Sequence, residues 1–170
     1  MAFLALACQR GREDPEEFAA RTAVTRYNRT LVEAYRASRA DLLTGVASDA
    51  EVSRAAAIIS GLLKDGRYME ARQTSFDVER TAVARADDGA LFGRVDATEA
   101  WEYEHRPLDA RAGSGAPRKQ TTYKLAYLLE KTKAGGWIVA EVIDREHAQT
   151  RLPVSRAWQV TQGAIRGEGR

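Results

Sequence analysis

The segment from Thr121 to Val142 constrains the fold of this 170-residue chain more than any other. Apolar and aromatic residues alternate with polar ones on both sides of a Gly135-Gly136 pair, a pattern typical of two antiparallel strands joined by a glycine turn. Because successive side chains of a strand point to opposite faces, the inner face is predicted to carry Tyr123, Leu125, Tyr127, Leu129, Ile138, Ala140 and Val142.

The opposite, outer face of this hairpin is also apolar. It is predicted to carry four large apolar residues, Leu128, Trp137, Val139 and Ile143. An apolar face of this size is expected to be covered, and three occupants are considered: the carboxyl-terminal tail, a protein partner, or a second copy of the chain. These four residues are therefore the candidates for an interaction face.

The rest of the chain predicts two helices followed by a further hairpin. Apolar residues recur every three or four positions after Asp14 and Pro15 as far as Leu42, and again after the capping-box pattern that begins at Ser48. From Phe76 the period changes to two, around an Asp88-Gly89 turn. With those two residues at the centre of the turn, the predicted register places Phe76 opposite Trp101, Val78 opposite Glu99 and Ala82 opposite Val95.

The order of these elements predicts an α+β fold. A long amino-terminal helix and one or two further helices, one of them a turn at Tyr68–Ala71, are expected to pack in a curved antiparallel sheet of four or more strands. Pro107–Lys119 is predicted to be a loop. In the tail, residues 152–154 and 157–160 are expected to dock as an extended strand or loop, and the residues from 163 onward are expected to be disordered.

Composition and charge exclude several classes of site. The net charge of +2, with basic and acidic residues intermixed, gives no support for nucleic-acid binding. The single cysteine, Cys8, permits no internal disulfide and no thiolate metal centre. The two histidines, His105 and His147, have no metal-ligand spacing, so neither a metal nor a cofactor is predicted.

The amino terminus resembles the end of a bacterial lipoprotein signal. Ala5-Leu-Ala-Cys8 follows an apolar stretch, with a small residue directly before the cysteine that would be lipidated, although the charged leader and most of the apolar segment are missing. This resemblance implies a signal-like segment and linker over residues 1–13, a folded domain over 14–147 and a tail over 148–170. The alternative is an apolar amino terminus with an incidental cysteine.

The strand motifs resemble those of the nuclear-transport-factor-2-like superfamily, which includes the SnoaL-like proteins. They are Trp101-Glu-Tyr103, Tyr123-Lys-Leu-Ala-Tyr127 and Gly135-Gly-Trp-Ile-Val139, within a resemblance that covers roughly residues 16 to 145. The resemblance implies a sheet wrapped around the first helix to form a cone. It is greatest to non-catalytic members, such as the intermembrane-space domain of plastid division proteins and small bacterial envelope proteins, with the polyketide-cyclase and ketosteroid-isomerase branch second.

An isomerase-like site needs a carboxylate base and hydroxyl donors inside the cone. The candidate pocket residues, on the predicted inner face and the first helix, are Tyr35, Glu99, Tyr103, His105, Tyr123 and Tyr127. Glu99 and His105 are six residues apart on one strand, about 20 Å, so they cannot form a direct acid–base pair. The alternative is that the tyrosines fill the core with their hydroxyls hydrogen-bonded, and that Glu99 lies at the rim or pairs with an arginine.

Three functions therefore stay open. The first is a non-catalytic protein-interaction or scaffold module of the bacterial cell envelope, anchored through Cys8; without the anchor the chain is expected in the cytoplasm. The second is a small-molecule-binding protein or an isomerase- or cyclase-like enzyme that uses the cone interior, and the third is an accessory subunit of a larger complex. An interaction module predicts a cone filled by side chains, whereas a ligand site predicts an open pocket of a few hundred Å³ with Glu99 desolvated inside it.

Overall fold

The computed structural model describes residues 14–109, 117–146 and 155–166. Four antiparallel strands, each paired with the next along the chain, form one sheet: β1 (Arg67–Arg85), β2 (Leu91–Pro107), β3 (Lys119–Lys131) and β4 (Trp137–Asp144). Three α-helices, α1 (Pro15–Ala37), α2 (Asp49–Lys64) and α3 (Arg156–Arg166), pack on this sheet. The predicted α+β class is confirmed. Within the described ranges, every helix is too short or too polar to cross a bilayer.

Both predicted helix starts are confirmed by their caps. The Asp14 carboxylate accepts a hydrogen bond of 2.8 Å from the Glu16 amide, and the Ser48 hydroxyl accepts one of 3.3 Å from the Glu51 amide. The first helix is shorter than predicted. It ends at Ala37 because Ser38 adopts a left-handed conformation (φ 54°), and a separate 3₁₀ turn follows over Ala40–Leu43.

The main core lies between α1 and the face of the sheet that we call the inner face. Ala20, Val24 and Tyr27 of α1 are buried there against Val95 of β2 and Leu129 of β3. Burial of these apolar side chains stabilises the domain by about 1.5–3 kcal/mol for each large one. The same packing places Asn28, Leu31 and Tyr35, in the second half of α1, beside the cavity that forms the candidate site.

The first hairpin departs from the predicted register. β1 begins at Arg67, so Tyr68–Ala71 lie in a strand and not in a helical turn. Phe76 lies opposite Glu99, and Ala82 opposite Arg94, because the loop is longer than two residues: the Ala86 amide donates to the Ala90 carbonyl across it. Two irregularities in β1 shift the register further.

The second hairpin also departs from the predicted register. Its loop is longer than the glycine pair, so Lys131 lies opposite Trp137 and Leu129 opposite Val139. Because of this longer loop, Trp137 and Val139 point to the inner face, where both are buried, so the prediction that they share the outer face with Leu128 is wrong. An irregularity between Leu128 and Leu129 then returns the remaining residues of β4 to their predicted faces.

The tail folds as a helix rather than as the predicted strand or loop. α3 covers the outer face of the sheet, where Phe92, Leu128 and Ile143 are buried with Ala157 of the helix. The Ser155 hydroxyl accepts a hydrogen bond of 3.3 Å from the Trp158 amide, as an N-cap residue does. Of the three occupants considered for the outer face, the chain's own tail is therefore the one that covers it in the structure.

Candidate functional site

An open cavity of about 410 Å³ lies between α1, α2 and the inner face of all four strands. Its walls are predominantly aromatic and apolar. Tyr27, Asn28, Leu31 and Tyr35 come from α1, and Arg54 and Ile58 from α2; the strands supply Met69, Glu99, Trp101, Tyr103, Tyr123, Leu125, Tyr127, Val142 and Asp144. Its volume and lining are those of pockets that take small organic ligands.

Glu99 is fully buried in the wall of this cavity, and both of its carboxylate oxygens accept hydrogen bonds. One carboxylate oxygen accepts from the Tyr127 hydroxyl at 2.6 Å and from the Asn28 side-chain amide at 2.9 Å. The other accepts from the indole N–H of Trp101 at 2.7 Å. Three donors on one carboxylate offset the free energy lost when it leaves water, so the group is stable where it lies.

This arrangement leaves little for Glu99 to do as a base. A general base needs an oxygen within hydrogen-bond distance of a substrate proton, but both oxygens of Glu99 already have protein donors. Tyr127 is equally unsuited to act as an anion, because burial and the neighbouring Glu99 raise the pKa of its hydroxyl well above the ordinary value. The pair is therefore a rigid element of the wall.

A second polar cluster joins α2 to α1 beside the cavity. Glu51, which is nearly buried, accepts hydrogen bonds from Arg54 at 2.7 Å and from the Tyr27 hydroxyl at 3.0 Å. The Arg54 guanidinium is half-exposed and also contacts the Tyr27 hydroxyl at 3.2 Å. Burial, followed by the negative charge of Glu51, raises the pKa of Tyr27, which keeps its phenol neutral.

One wall of the cavity contains a stacked pair of aromatic rings. The rings of Trp101 and Tyr103 lie parallel, 6.1 Å apart between centroids and 6° between planes. Burial and a hydrogen bond with Tyr123 raise the pKa of Tyr103, so this hydroxyl too stays protonated. Stacked rings of this kind favour a planar or hydrocarbon partner over a strongly hydrated one.

The structure brings together five of the six predicted pocket residues, Tyr35, Glu99, Tyr103, Tyr123 and Tyr127, around this one cavity. His105, on the same strand, does not line it. Asn28, Arg54 and Trp101 also line the cavity but were not among the predicted pocket residues. The position of Asn28 could have indicated a role, because it is a polar residue directly after Tyr27 on the apolar stripe of α1. The position of Arg54 gave no such indication, because arginines often follow a capping box on the surface of a helix.

The predicted interaction face is not free. Leu128 and Ile143 are buried under α3, while Trp137 and Val139 are buried under α1. Cys8, the predicted lipidation site, lies outside the described residues, as does His147. Across residues 14–109, 117–146 and 155–166, no group of three or more histidine, cysteine, aspartate or glutamate side chains is arranged to hold a metal ion.

Comparison with known proteins identifies similar folds only. Neither models of protein families nor curated protein sequences match the chain. Among solved structures, the intermembrane-space region of the chloroplast protein ARC6 is 19% identical, with a TM-score of 0.61 over 78% of this chain and 97% of that one. A periplasmic fragment of TraM is 16% identical, with a TM-score of 0.51 over 75% and 96%. ActVI-ORFA from Streptomyces coelicolor is 14% identical over 80% and 99%, with a TM-score of only 0.38.

Proposed function

We propose that this protein is a non-catalytic binding module whose cavity takes a small apolar or aromatic molecule. The observation that supports this most is the cavity itself, about 410 Å³ in volume, open, and lined by six aromatic rings. A cone filled by side chains, as expected for a pure scaffold, would leave no such space. The cavity lies within the range of 300–1,000 Å³ that is typical of ligand sites.

The hydrogen bonds of the wall support a binding role over catalysis. The carboxylate of Glu99 is held by three protein donors, and the raised pKa values of Tyr27, Tyr103 and Tyr127 keep these three hydroxyls neutral. A preorganised wall of this kind fixes the shape of the site and costs little on binding. Glu99 and these tyrosines are therefore not poised to exchange a proton with a substrate.

A location in the bacterial cell envelope forms part of the same proposal. Cys8 follows an apolar stretch, as in a lipoprotein signal, and two of the similar solved structures, with TM-scores of 0.61 and 0.51, are fragments from the intermembrane space and the periplasm. Mass spectrometry of the protein from its native cells tests the anchor. A diacylglyceryl mass on Cys8 supports it, and an unmodified Cys8 overturns it without affecting the cavity.

A protein partner on the outer face of the sheet is not part of the proposal. α3 already occupies that face, where Arg94 lies 4.2 Å from the ring of Trp158 and Arg156 pairs with Asp88 at 2.6 Å. A partner would have to displace these contacts together with the apolar packing around Ala157. We therefore expect the protein to bind its ligand in the cavity.

Binding of a small hydrocarbon probe tests the main proposal. We expect 2-ethylnaphthalene to change the tryptophan fluorescence in a saturable way, because Trp101 lies in the cavity wall. Leu125→Trp places a larger side chain in the cavity and should abolish saturation while the protein stays folded by circular dichroism. The matched control, Val78→Trp, adds the same side chain at a half-exposed position away from the cavity and should bind as the wild type does. Equal binding by both variants would exclude the cavity as the site.

A further inference from the structure

The two edges of the sheet differ in what lies against them. At β4, the Val139 amide donates to the Val46 carbonyl at 3.0 Å, and the Val139 carbonyl accepts from the Ser48 amide at 2.8 Å. The Ser48 hydroxyl also donates to the Ala140 carbonyl at 2.8 Å. The other edge is β1, which pairs with β2 alone among the described residues. An edge strand without such a cover offers backbone donors and acceptors to another strand.

A pocket of about 350 Å³ lies over the edge of β1. Val32 and Arg36 of α1 line it from the inner face of the sheet, and Glu102 and Glu104 of β2 line it from the outer face. Ala71 of β1 lines the same pocket between them. Because side chains from both faces of the sheet meet in one open pocket, α1 does not close this edge at Ala71.

Only part of this edge is regular enough to pair with another strand. An irregularity between Gln73 and Ser75 interrupts β1, whereas residues 67–73 pair continuously with β2. This regular part carries two opposite charges on its outer face, Glu70 and Arg72. Their side chains are 35% and 68% exposed, so both are accessible to a strand that lies beside β1. Charges on an edge strand normally prevent pairing between copies, so the arrangement of these two decides whether copies can pair.

The positions of Glu70 and Arg72 favour one register with a second copy. When two identical strands pair antiparallel about a two-fold axis, one residue lies on the axis and faces its own copy. With Ala71 on the axis, Glu70 of each copy lies opposite Arg72 of the other. If the axis moves to Glu70 or to Arg72, two like charges lie opposite each other, which is destabilising. The two charges therefore align self-pairing about Ala71.

We propose that residues 69–73 of β1 pair antiparallel with the same residues of a second copy, which joins two four-stranded sheets into one continuous sheet. Glu70 and Arg72 then form two equivalent ion pairs across the axis, in addition to their contacts on β2 with Arg106 at 2.9 Å and Glu102 at 2.8 Å. An arginine has five donors and a carboxylate has about four acceptor sites, so each group can hold a second partner. This pairing goes beyond the proposed function, because it needs neither a ligand in the cavity nor an anchor at Cys8.

Charge reversal at the two positions tests the register. Sedimentation equilibrium should show the wild type reaching the mass of a dimer in the high micromolar range. Glu70→Lys and Arg72→Glu each place like charges opposite each other and should hold the protein at the mass of a monomer. An equimolar mixture of the two variants should recover the dimer, because every charge then faces an opposite one. Lys133→Glu, at an exposed position in the loop between β3 and β4, makes the same kind of charge change and should leave the dimer intact.

A cysteine on the proposed axis gives a second readout that does not depend on charge. In a Cys8→Ser background, Ala71→Cys places two thiols on residues that lie directly opposite each other. Their Cα atoms should be about 4.5–5.5 Å apart, which is within the range of a disulfide. Mild oxidation should therefore yield a covalent dimer. Thr74→Cys, exposed on the same strand but three residues from the axis, is the control and should cross-link much less.

The outcomes separate this pairing from other associations. A wild type that stays monomeric at millimolar concentration overturns the inference. If the two charge-reversed variants are folded by circular dichroism and each remains dimeric alone, the copies associate through another surface and the inference is wrong. It also fails if the mixture of the two folded variants stays monomeric, or if Thr74→Cys cross-links as efficiently as Ala71→Cys. None of these results bears on whether the cavity binds a ligand.

Discussion

The hydroxyl of Tyr127 lies 2.6 Å from a carboxylate oxygen of Glu99 and 3.1 Å from the side-chain carbonyl of Asn28. A phenol has one proton, so the shorter, charge-assisted bond to Glu99 is the principal one. Because Asn28 lies on α1, Glu99 on β2 and Tyr127 on β3, the three side chains join the long helix to the centre of the sheet. Glu99 is therefore expected to be a stabilising residue whose loss affects folding before it affects binding.

Glu99→Gln should lower the free energy of unfolding by about 2–4 kcal/mol. Glutamine offers an oxygen on one side and an amide on the other, whereas both oxygens of Glu99 face donors. Whichever way the new amide turns, it opposes a donor from Trp101 or from the pair Asn28 and Tyr127. Urea denaturation followed by circular dichroism measures the change.

Glu33→Gln is the matched control for this prediction. Glu33 is an exposed glutamate of α1, so its replacement should change stability by no more than about 0.5 kcal/mol. If Glu99→Gln proves as stable as the wild type, the three hydrogen bonds do not hold the carboxylate as described, and a catalytic role for Glu99 returns to consideration.

Ala157→Asp should release α3 from the outer face of the sheet. Ala157 is 2% exposed and contacts the apolar cluster of Phe92, Leu128 and Ile143, where an unpaired carboxylate is strongly disfavoured. The exposed cluster should bind the dye 8-anilinonaphthalene-1-sulfonate and promote self-association. Dye fluorescence and size-exclusion chromatography measure these effects.

Gln159→Asp places the same charge on the exposed side of α3 and is the control for this prediction. It should leave dye binding and elution volume unchanged. An equal response of the two variants would mean that the charge itself, rather than its burial against the sheet, loosens the helix.

Much of the fold followed from local patterns. Asp14 and Ser48 precede apolar stripes of helical period, and their side chains cap α1 and α2. Alternation placed Glu99, Tyr103, Tyr123 and Tyr127 on the inner face, which is why these four predicted residues of β2 and β3 line the cavity. These features depend on neighbouring residues only, so the sequence contains the information for them.

The faces of β4 could not be predicted in the same way. A loop longer than the glycine pair turns Trp137 and Val139 inward, and the irregularity between Leu128 and Leu129 reverses this change for the rest of β4; such features depend on contacts with other elements. Here Trp137 packs against Gly93, where an added β-carbon would lie 3.3 Å from the indole, and its N–H donates to Glu16 at 3.0 Å. Gly93 and Glu16 are far from Trp137 in the sequence, so the alternation of residues near Trp137 could not reveal these contacts and assigned it to the wrong face.

Gly61→Ala should stabilise the protein by about 0.5–1 kcal/mol. Gly61 lies in the last turn of α2, and a β-carbon added there meets no atom within 4 Å. Alanine restricts the unfolded chain and favours the helix, with no steric cost in the folded state. Thermal unfolding measures the expected rise in Tm.

Gly66→Ala is the control for Gly61→Ala. Gly66 also has open space around it, but its φ of 66° is a conformation that alanine rarely adopts, so this substitution should destabilise by about 1 kcal/mol. If both variants lose stability, helix propensity does not limit the stability of α2.

The contribution of Glu16 to stability should depend on pH. Hydrogen bonds from Lys131, and then from Trp137, hold the pKa of this carboxyl below its ordinary value of 4.5, although partial burial opposes them. A carboxyl whose pKa is lower in the folded state stabilises the fold above its unfolded pKa, and this stabilisation is lost as the pH falls through the folded pKa. Because Glu16 is 37% exposed in its side chain, we expect less than about 1 kcal/mol from the ion pair.

Comparison of the wild type with Glu16→Gln tests this sign. The difference in unfolding free energy between the two proteins should be constant above about pH 6 and should shrink progressively below pH 4.5, as the wild-type carboxyl becomes protonated. Urea denaturation at intervals between pH 3 and pH 7 measures it. A difference that grows as the pH falls would require a raised pKa in the folded state, which is incompatible with Lys131 and Trp137 as donors to this carboxylate.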